Sequence, residues 1–228
     1  MQLANKEKAA FFPNFFKTGT GEYGEGDTFI GVTVPNQRSV AKTHYKHSTL
    51  EDLEVLLASP IHEHRVTALL ILVLKYQTST EKEQRYIVHF YTSHLQGVNN
   101  WDLVDTSAYH ILGDSLYKEN PSQTPSLLRR FALSSILWER RIAIVSTLAY
   151  IRKGELTPTY ELCELLMDDH EDLMHKACGW MLREAGKKDM QRLASFLLKH
   201  KAQMPRTMLR YAIEKFSKEE RKNFMMKD

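Results

Sequence analysis

The sequence predicts an all-α fold built from repeated helical hairpins, and three observations carry that expectation. Apolar residues recur at helical rather than alternating spacing over most of the 228 residues. Glycine is scarce: of 10 in the chain, five are packed between Gly19 and Gly31, so the remainder lacks the punctuation that strands and hairpin turns require. A weak internal repeat of 35–40 residues runs through the middle of the chain. With 43% hydrophobic and 26% charged residues, the chain has the composition of a folded domain rather than a disordered one. One domain spanning 1–228 is expected, because a chain of this size buries roughly 70% of its extended surface.

The elements follow in order. Met1 to Ala10 carries lysines but no apolar core ending in a small-residue cleavage site, so a secretory leader is not expected and the cytosol is the expected compartment. Gly19 to Gly31 is the one evident long loop. Pro35, Pro60, Pro121, Pro158 and Pro205 mark expected helix starts, where the missing amide hydrogen costs nothing. Val66, Leu69, Leu70, Val73 and Leu74 share a helical face, as do Ile142, Val145, Leu148, Ala149 and Ile151. Thr157-Pro158-Thr159-Tyr160-Glu161 is the clearest start signal. No apolar run reaches the roughly 20 residues of a bilayer span, which excludes a membrane-spanning helix.

Self-comparison aligns Glu63-His64-Arg65-Val66-Thr67-Ala68 with Glu139-Arg140-Arg141-Ile142-Ala143-Ile144, and Met174-His175-Lys176-Ala177-Cys178 in the same register. With Val104-Asp105-Thr106-Ser107-Ala108 fitted between them, Arg65, Asp105, Arg141 and Lys176 become equivalent positions. The period is that of HEAT-like helical solenoids, which place equivalent positions in a column along a concave surface. The column predicts a basic groove suited to a nucleic-acid backbone, with one carboxylate as the exception. Trp101 lies four residues before Asp105, Trp180 four after Lys176, and Trp138 three before Arg141, so each shares a face with the column. Charge is unevenly divided: residues 175–228 hold 14 Lys and Arg against 6 Asp and Glu, a net +8, and the rest of the chain is −5. That asymmetry fits a polyanion partner on the C-terminal quarter, and equally a solvated helical face.

Other chemistry matches poorly. Gly19-Thr20-Gly21-Glu22-Tyr23-Gly24 has dinucleotide-loop spacing, but no apolar strand precedes it, and Glu22, Glu25 and Asp27 would repel a pyrophosphate. His62-Glu63-His64 and the pair His170 and His175 lack zinc-site spacing, so no metal and no cofactor is expected. Cys163 and Cys178 form no metal or redox pair and read as reduced core residues.

Asn100-Trp101-Asp102-Leu103-Val104-Asp105, Trp138-Glu139-Arg140-Arg141-Ile142-Ala143, Lys176-Ala177-Cys178-Gly179-Trp180-Met181-Leu182-Arg183-Glu184 and Met204-Pro205-Arg206-Thr207-Met208-Leu209-Arg210 resemble, in order and spacing, the bacterial DNA alkylation-repair glycosylases of the AlkD type. Gly31-Val32-Thr33-Val34-Pro35-Asn36-Gln37-Arg38 is similar to the family's N-terminal loop-to-helix junction, so the resemblance runs from about residue 11 to 216. It implies a HEAT-like superhelix that hydrolyses the glycosidic bond of N3- and N7-alkylated purines in duplex DNA. It further implies that Asp105 is the catalytic aspartate, that Trp101 and Trp180 flank the damaged nucleotide, and that Arg141 grips the DNA. Arg65 and Lys176 join the DNA-binding set from the column, and Arg206 and Arg210 from the C-terminal basic surface. A groove-lined solenoid is expected to act as a monomer. The competing readings are a non-enzymatic module binding nucleic acid or protein through the same groove, and a scaffold for acidic proteins that ignores Asp105.

Overall fold

The computed structural model describes residues 3–226, and among these all regular structure is helical, with a single isolated bridge between Thr28 and Ile61 in place of any strand. The chain packs into two compact units, one up to Leu112 and one from Gly113.

The first unit contains α1 (Lys6–Phe15), α2 (Val34–His44), α3 (Leu50–Leu57), α4 (His62–Thr78), α5 (Glu81–Ser93) and α6 (Trp101–Ala108). Its centre is α4, which is apolar nearly all round: Val66, Ala68, Leu69, Ile71 and Leu72 are buried, and α2, α3, α5 and α6 pack on it. Each such leucine or isoleucine contributes roughly 1.5–3 kcal/mol by leaving water. Thr49 with Asp52 and Thr80 with Glu83 close reciprocal caps at the starts of α3 and α5. After α6 the helix loosens into a π turn, Tyr109–Gly113.

The second unit contains α7 (Asp114–Glu119), α8 (Ser126–Ala132), α9 (Leu137–Ser146), α10 (Leu148–Arg152), α11 (Thr157–Leu165), α12 (Asp172–Gly186), α13 (Met190–His200), α14 (Arg206–Ala212) and α15 (Lys218–Met225). Here α12 is the central helix, packed by α9, α11, α13 and α14. The apolar face expected to run from Ile142 to Ile151 is divided at Thr147, whose hydroxyl donates to Ile144 O at 2.7 Å. Opposite the division, Gly113 lies so close that a β-carbon there would stand 2.2 Å from Ser146 O. Four of the five proline starts hold, whereas Pro121 sits in a turn and the next helix begins after Pro125. Cys163 and Cys178 are both buried thiols.

Local geometry fixes the repeat register. Ser59, Ser134 and Asp169 each accept, through the side chain, the backbone N–H two residues on, at 3.1, 3.0 and 2.9 Å. The helices that follow are α4, α9 and α12. Their fourth residues, Arg65, Arg140 and His175, all reach back to the carbonyl six residues earlier, at 2.8, 3.0 and 2.5 Å. The fifth residues of α4, α6, α9, α12 and α14 are therefore Val66, Asp105, Arg141, Lys176 and Arg210. Arg65 is out of the column by one position; its counterpart is Arg140 rather than Arg141.

Candidate functional site

A cavity of about 600 Å³ opens in the first unit, and Trp101, Asp105, Thr106, Tyr109 and His110 from α6 and the π turn form one side of it. Asn100 positions them: its side chain accepts the N–H of Trp101 at 2.8 Å, starting the helix so that Trp101 and Asp105, four residues apart, share one face. The cavity is aromatic. Phe16 stacks on Trp101 with centroids 5.6 Å apart and on Phe29 at 5.2 Å, and Phe15 meets the edge of Trp101 at 5.8 Å. Two cations of α2, Arg38 and Lys42, lie one turn apart and line the same cavity, so it joins an apolar interior to positive charge and to the carboxylates of Glu63, Asp102 and Asp105.

Beneath this wall lies a buried ionic cluster. His62, the first residue of α4, donates from Nδ1 to Asp27 and from Nε2 to Asp102, each at 2.8 Å. Burial pushes the imidazole toward its neutral form, but the hydrogen bonds and charges of Asp102 and Asp27 outweigh it and raise the pKa to about 9. The ring is thus protonated at neutral pH. Arg65 donates to Asp27 at 2.6 Å and to Ser59 O at 2.8 Å. Burial works against the ionised Asp27 carboxylate as well, yet bonds from His62 and Arg65 hold its pKa below the ordinary aspartate value. Arg65 was expected to face phosphate; with 4% of its surface exposed and its guanidinium on Asp27, it is an interior residue.

The neighbouring Glu63 is also buried, and its carboxylate accepts the backbone N–H groups of Ile30, Gly31 and Val32, the shortest at 2.7 Å. The glycine-rich segment is thereby tied to α4. Gly31 needs to be glycine: its φ is +78°, and a β-carbon would lie 2.0 Å from Asn5 O. The acidic residues that argued against a dinucleotide loop therefore have other uses, Asp27 in the cluster and Glu22 and Glu25 in binding the N–H groups of Gly19 and Gly21.

In the second unit, Arg141 is buried, with 5% exposed, and donates to Leu173 O at 2.6 Å. Lys176 and Arg210 share a shallow cleft with Asp172, Thr207, Tyr211 and Glu214, and Lys176 pairs with Asp172 at 2.7 Å. Trp180 and Trp138 are half-buried. Arg206, expected on the DNA-binding surface, is exposed and donates to Met225 O at the end of α15 at 2.5 Å. Among the described residues no cluster of three or more His, Cys, Asp or Glu could hold a metal ion, and no helix is long and apolar enough to cross a membrane.

Sequence reasoning missed the phenylalanines of α1, the Arg38 and Lys42 pair, and His62 as the hub of a charge cluster. Only the i, i+4 spacing of Arg38 and Lys42 could have drawn attention to the pair. The phenylalanines and His62 acquire meaning through contacts across 35 to 85 residues of chain.

Helices in tandem with a recurring start signal define an α-helical repeat protein. A solved structure described as a predicted DNA alkylation repair enzyme from Enterococcus faecalis shares this fold, with a TM-score of 0.73 and 18% identity over 94% of this chain and 97% of that one. Among curated proteins, none matches. The sequence pattern of the DNA alkylation repair enzymes matches residues 1–216, and the chain belongs to that family. Its place is accordingly in the repair of alkylated DNA, with DNA as partner.

Proposed function

We propose that the protein is a DNA glycosylase that releases N3- and N7-alkylated purines from duplex DNA in the cytoplasm, acting as a monomer and without a cofactor. The observation that carries the reading is the presence of Asp105 and Trp101 on one face of α6, in an aromatic cavity whose wall also bears Arg38 and Lys42. Alkylation at N3 or N7 makes the purine cationic, so it departs neutral and needs no general acid. What remains is an oxocarbenium-like sugar and an attacking water, and one carboxylate serves both. Asp105 stabilises the sugar cation and orients or deprotonates the water. The face of Trp101 adds roughly 0.5–2 kcal/mol of attraction to the developing cation and excludes water from it. Trp180 takes the matching role assigned by resemblance, and Lys176, Arg210, Arg38 and Lys42 meet phosphates; Arg141, which the resemblance has gripping DNA, is buried on Leu173 O and would act on the DNA-binding surface from beneath.

The deciding experiment measures 3-methyladenine and 7-methylguanine released from methylated duplex DNA by purified protein. Release by wild type that disappears in Asp105→Asn is the expected result. Tight binding to the same DNA without any release at stoichiometric protein would leave a non-enzymatic binding module instead.

A further inference from the structure

We propose that His62 is a positioning residue for this site: clamped between Asp27 and Asp102 and packed against Phe16, it fixes the first turn of α6 and with it the orientation of Trp101 and Asp105. The proposal rests on the glycosylase reading only for its consequence in rate; the clamp itself is a matter of geometry.

Two routes lead from the imidazole to the site. Along the first, Nε2 donates to Asp102 Oδ2, while Asp102 Oδ1 accepts the N–H of Leu103 at 2.9 Å. One carboxylate therefore ties the opening turn of α6 to α4, and it belongs to the residue between Trp101 and Leu103. Along the second, the His62 ring lies 4.6 Å from Phe16, which stacks on Trp101. A cationic ring against Phe16, and against Phe29 at 5.1 Å, is attracted to both π faces. With 2% of its surface exposed and both ring nitrogens engaged, His62 is placed to hold other groups rather than to meet substrate.

The surrounding charges balance. Asp27 from the glycine-rich loop and Asp102 from α6 face the imidazolium, Arg65 from the same helix neutralises the second charge of the pair, and Glu63 beside it is turned to the amides of Ile30 to Val32. From α2, Arg38 and Lys42 line the cavity that His62 also touches, and from α6 so does Asp105. Loss of the ring proton leaves only one N–H for two carboxylates, so one of the two ties must break. If it is the tie to Asp102, the opening turn of α6 is released.

The test follows the indole N–H of Trp101 by ¹H–¹⁵N spectroscopy across pH 6 to 10, with Trp101→Phe to assign the resonance. In wild type the resonance is expected to shift with a midpoint near that of His62. In Asp102→Asn, which keeps the shape but removes one of the two charges holding the proton, the midpoint should fall by at least one pH unit. An indole resonance indifferent to the His62 titration, or an unchanged midpoint in Asp102→Asn, overturns the proposal. The alkaline limb of single-turnover base release, measured at saturating protein, should move with the spectroscopic midpoint, and His62→Gln should lower release at pH 7.5 about tenfold without weakening DNA binding. If His62→Gln does not fold, Asp102→Asn carries the comparison alone. Were wild type to release no alkylated base, the glycosylase reading would fail while the indole titration still decided the role of His62.

Discussion

Arg65 and Arg141 look equivalent in the sequence but differ by one position in their helices, a rotation of about 100°, and both are interior, Arg65 on Asp27 and Arg141 on Leu173 O. Both follow glutamates in similar hexapeptides, and the alignment that pairs them is one residue out because Ser59-Pro60-Ile61 and Ser134-Ser135-Ile136, which set the register, share too little apolar pattern to be noticed. Arg65→Met is expected to destabilise the protein by about 3–5 kcal/mol, because it leaves Asp27 buried without its guanidinium. The salt dependence of DNA binding should stay as in wild type. Lys176→Ala should do the reverse, lowering the log–log salt slope by about 0.9 with a melting temperature close to wild type. An unchanged salt slope for Lys176→Ala would remove Lys176 from the DNA-binding set. For Asp105→Asn, single-turnover release should drop by about two orders of magnitude or more. DNA affinity should hold or rise, since a negative charge facing phosphate is gone. Trp101 and Asp105 were legible because one turn of one helix brings them together; Phe16, Phe29 and His62 were not, because three separate segments do.

At the level of elements, helix existence was readable and helix ends were not always. Apolar periodicity marks α4 and the stretch that forms α9 and α10, and proline marks α2, α11 and α14, but nothing in Tyr109-His110-Ile111-Leu112-Gly113 announces a π turn. A widened turn is a common feature of functional helices, and this one carries Tyr109 and His110 into the cavity wall. Pro121 misled because a proline equally well begins a turn, and Pro125 is four residues away. The glycine-rich segment read as an unexplained loop; its purpose is to bring Asp27 and the amides of Ile30 to Val32 onto the start of α4. Gly31→Ala should therefore cost several kcal/mol, through both the left-handed backbone and the collision with Asn5 O. Thermal denaturation would show it as a loss of melting temperature much larger than that of Gly154→Ala, where φ is +89° but a β-carbon meets nothing within 4 Å. Equal losses would mean that the close approach is unimportant.

For the molecule as a whole, the buried cluster ties stability to pH. The pKa of His62 rises from 6.5 to about 9 on folding, so its contribution is fully present below about pH 6.5 and is lost as the pH climbs toward 9. The full span corresponds to roughly 3 kcal/mol. Asp27 is shifted the other way, so its contribution is present above its ordinary pKa of 3.8 and is lost as the pH falls below it. Urea denaturation should give a stability maximum between about pH 4 and 6.5, with a decline above it that His62→Gln abolishes. A decline of the same size in that variant would assign it to other groups. The fold class was legible from periodicity, scarce glycine and the repeat, since these are properties of each short window of sequence. Which charges are buried depends on the register of one helix start against another, and such information is not carried by any single window.

The attachment of α1 bears on how a substrate reaches the cavity. No residue of α1 is buried, and among the described residues it is held chiefly by the N–H of Asn5 on Ile30 O, by Phe12 against Phe29, and by Phe16 just past its end. Phe12 and Phe15 nevertheless form part of the cavity wall. A helix with no buried residue is expected to open locally at a smaller free energy than the buried α4. Its amides should exchange with deuterium well before those of α4, and if DNA occupies the cavity, adding it should slow that exchange. On the glycosylase reading, the rate at which α1 lifts and settles would set an upper bound on how quickly a lesion is admitted, and mutations in a helix without catalytic groups would tune the search of DNA for damage.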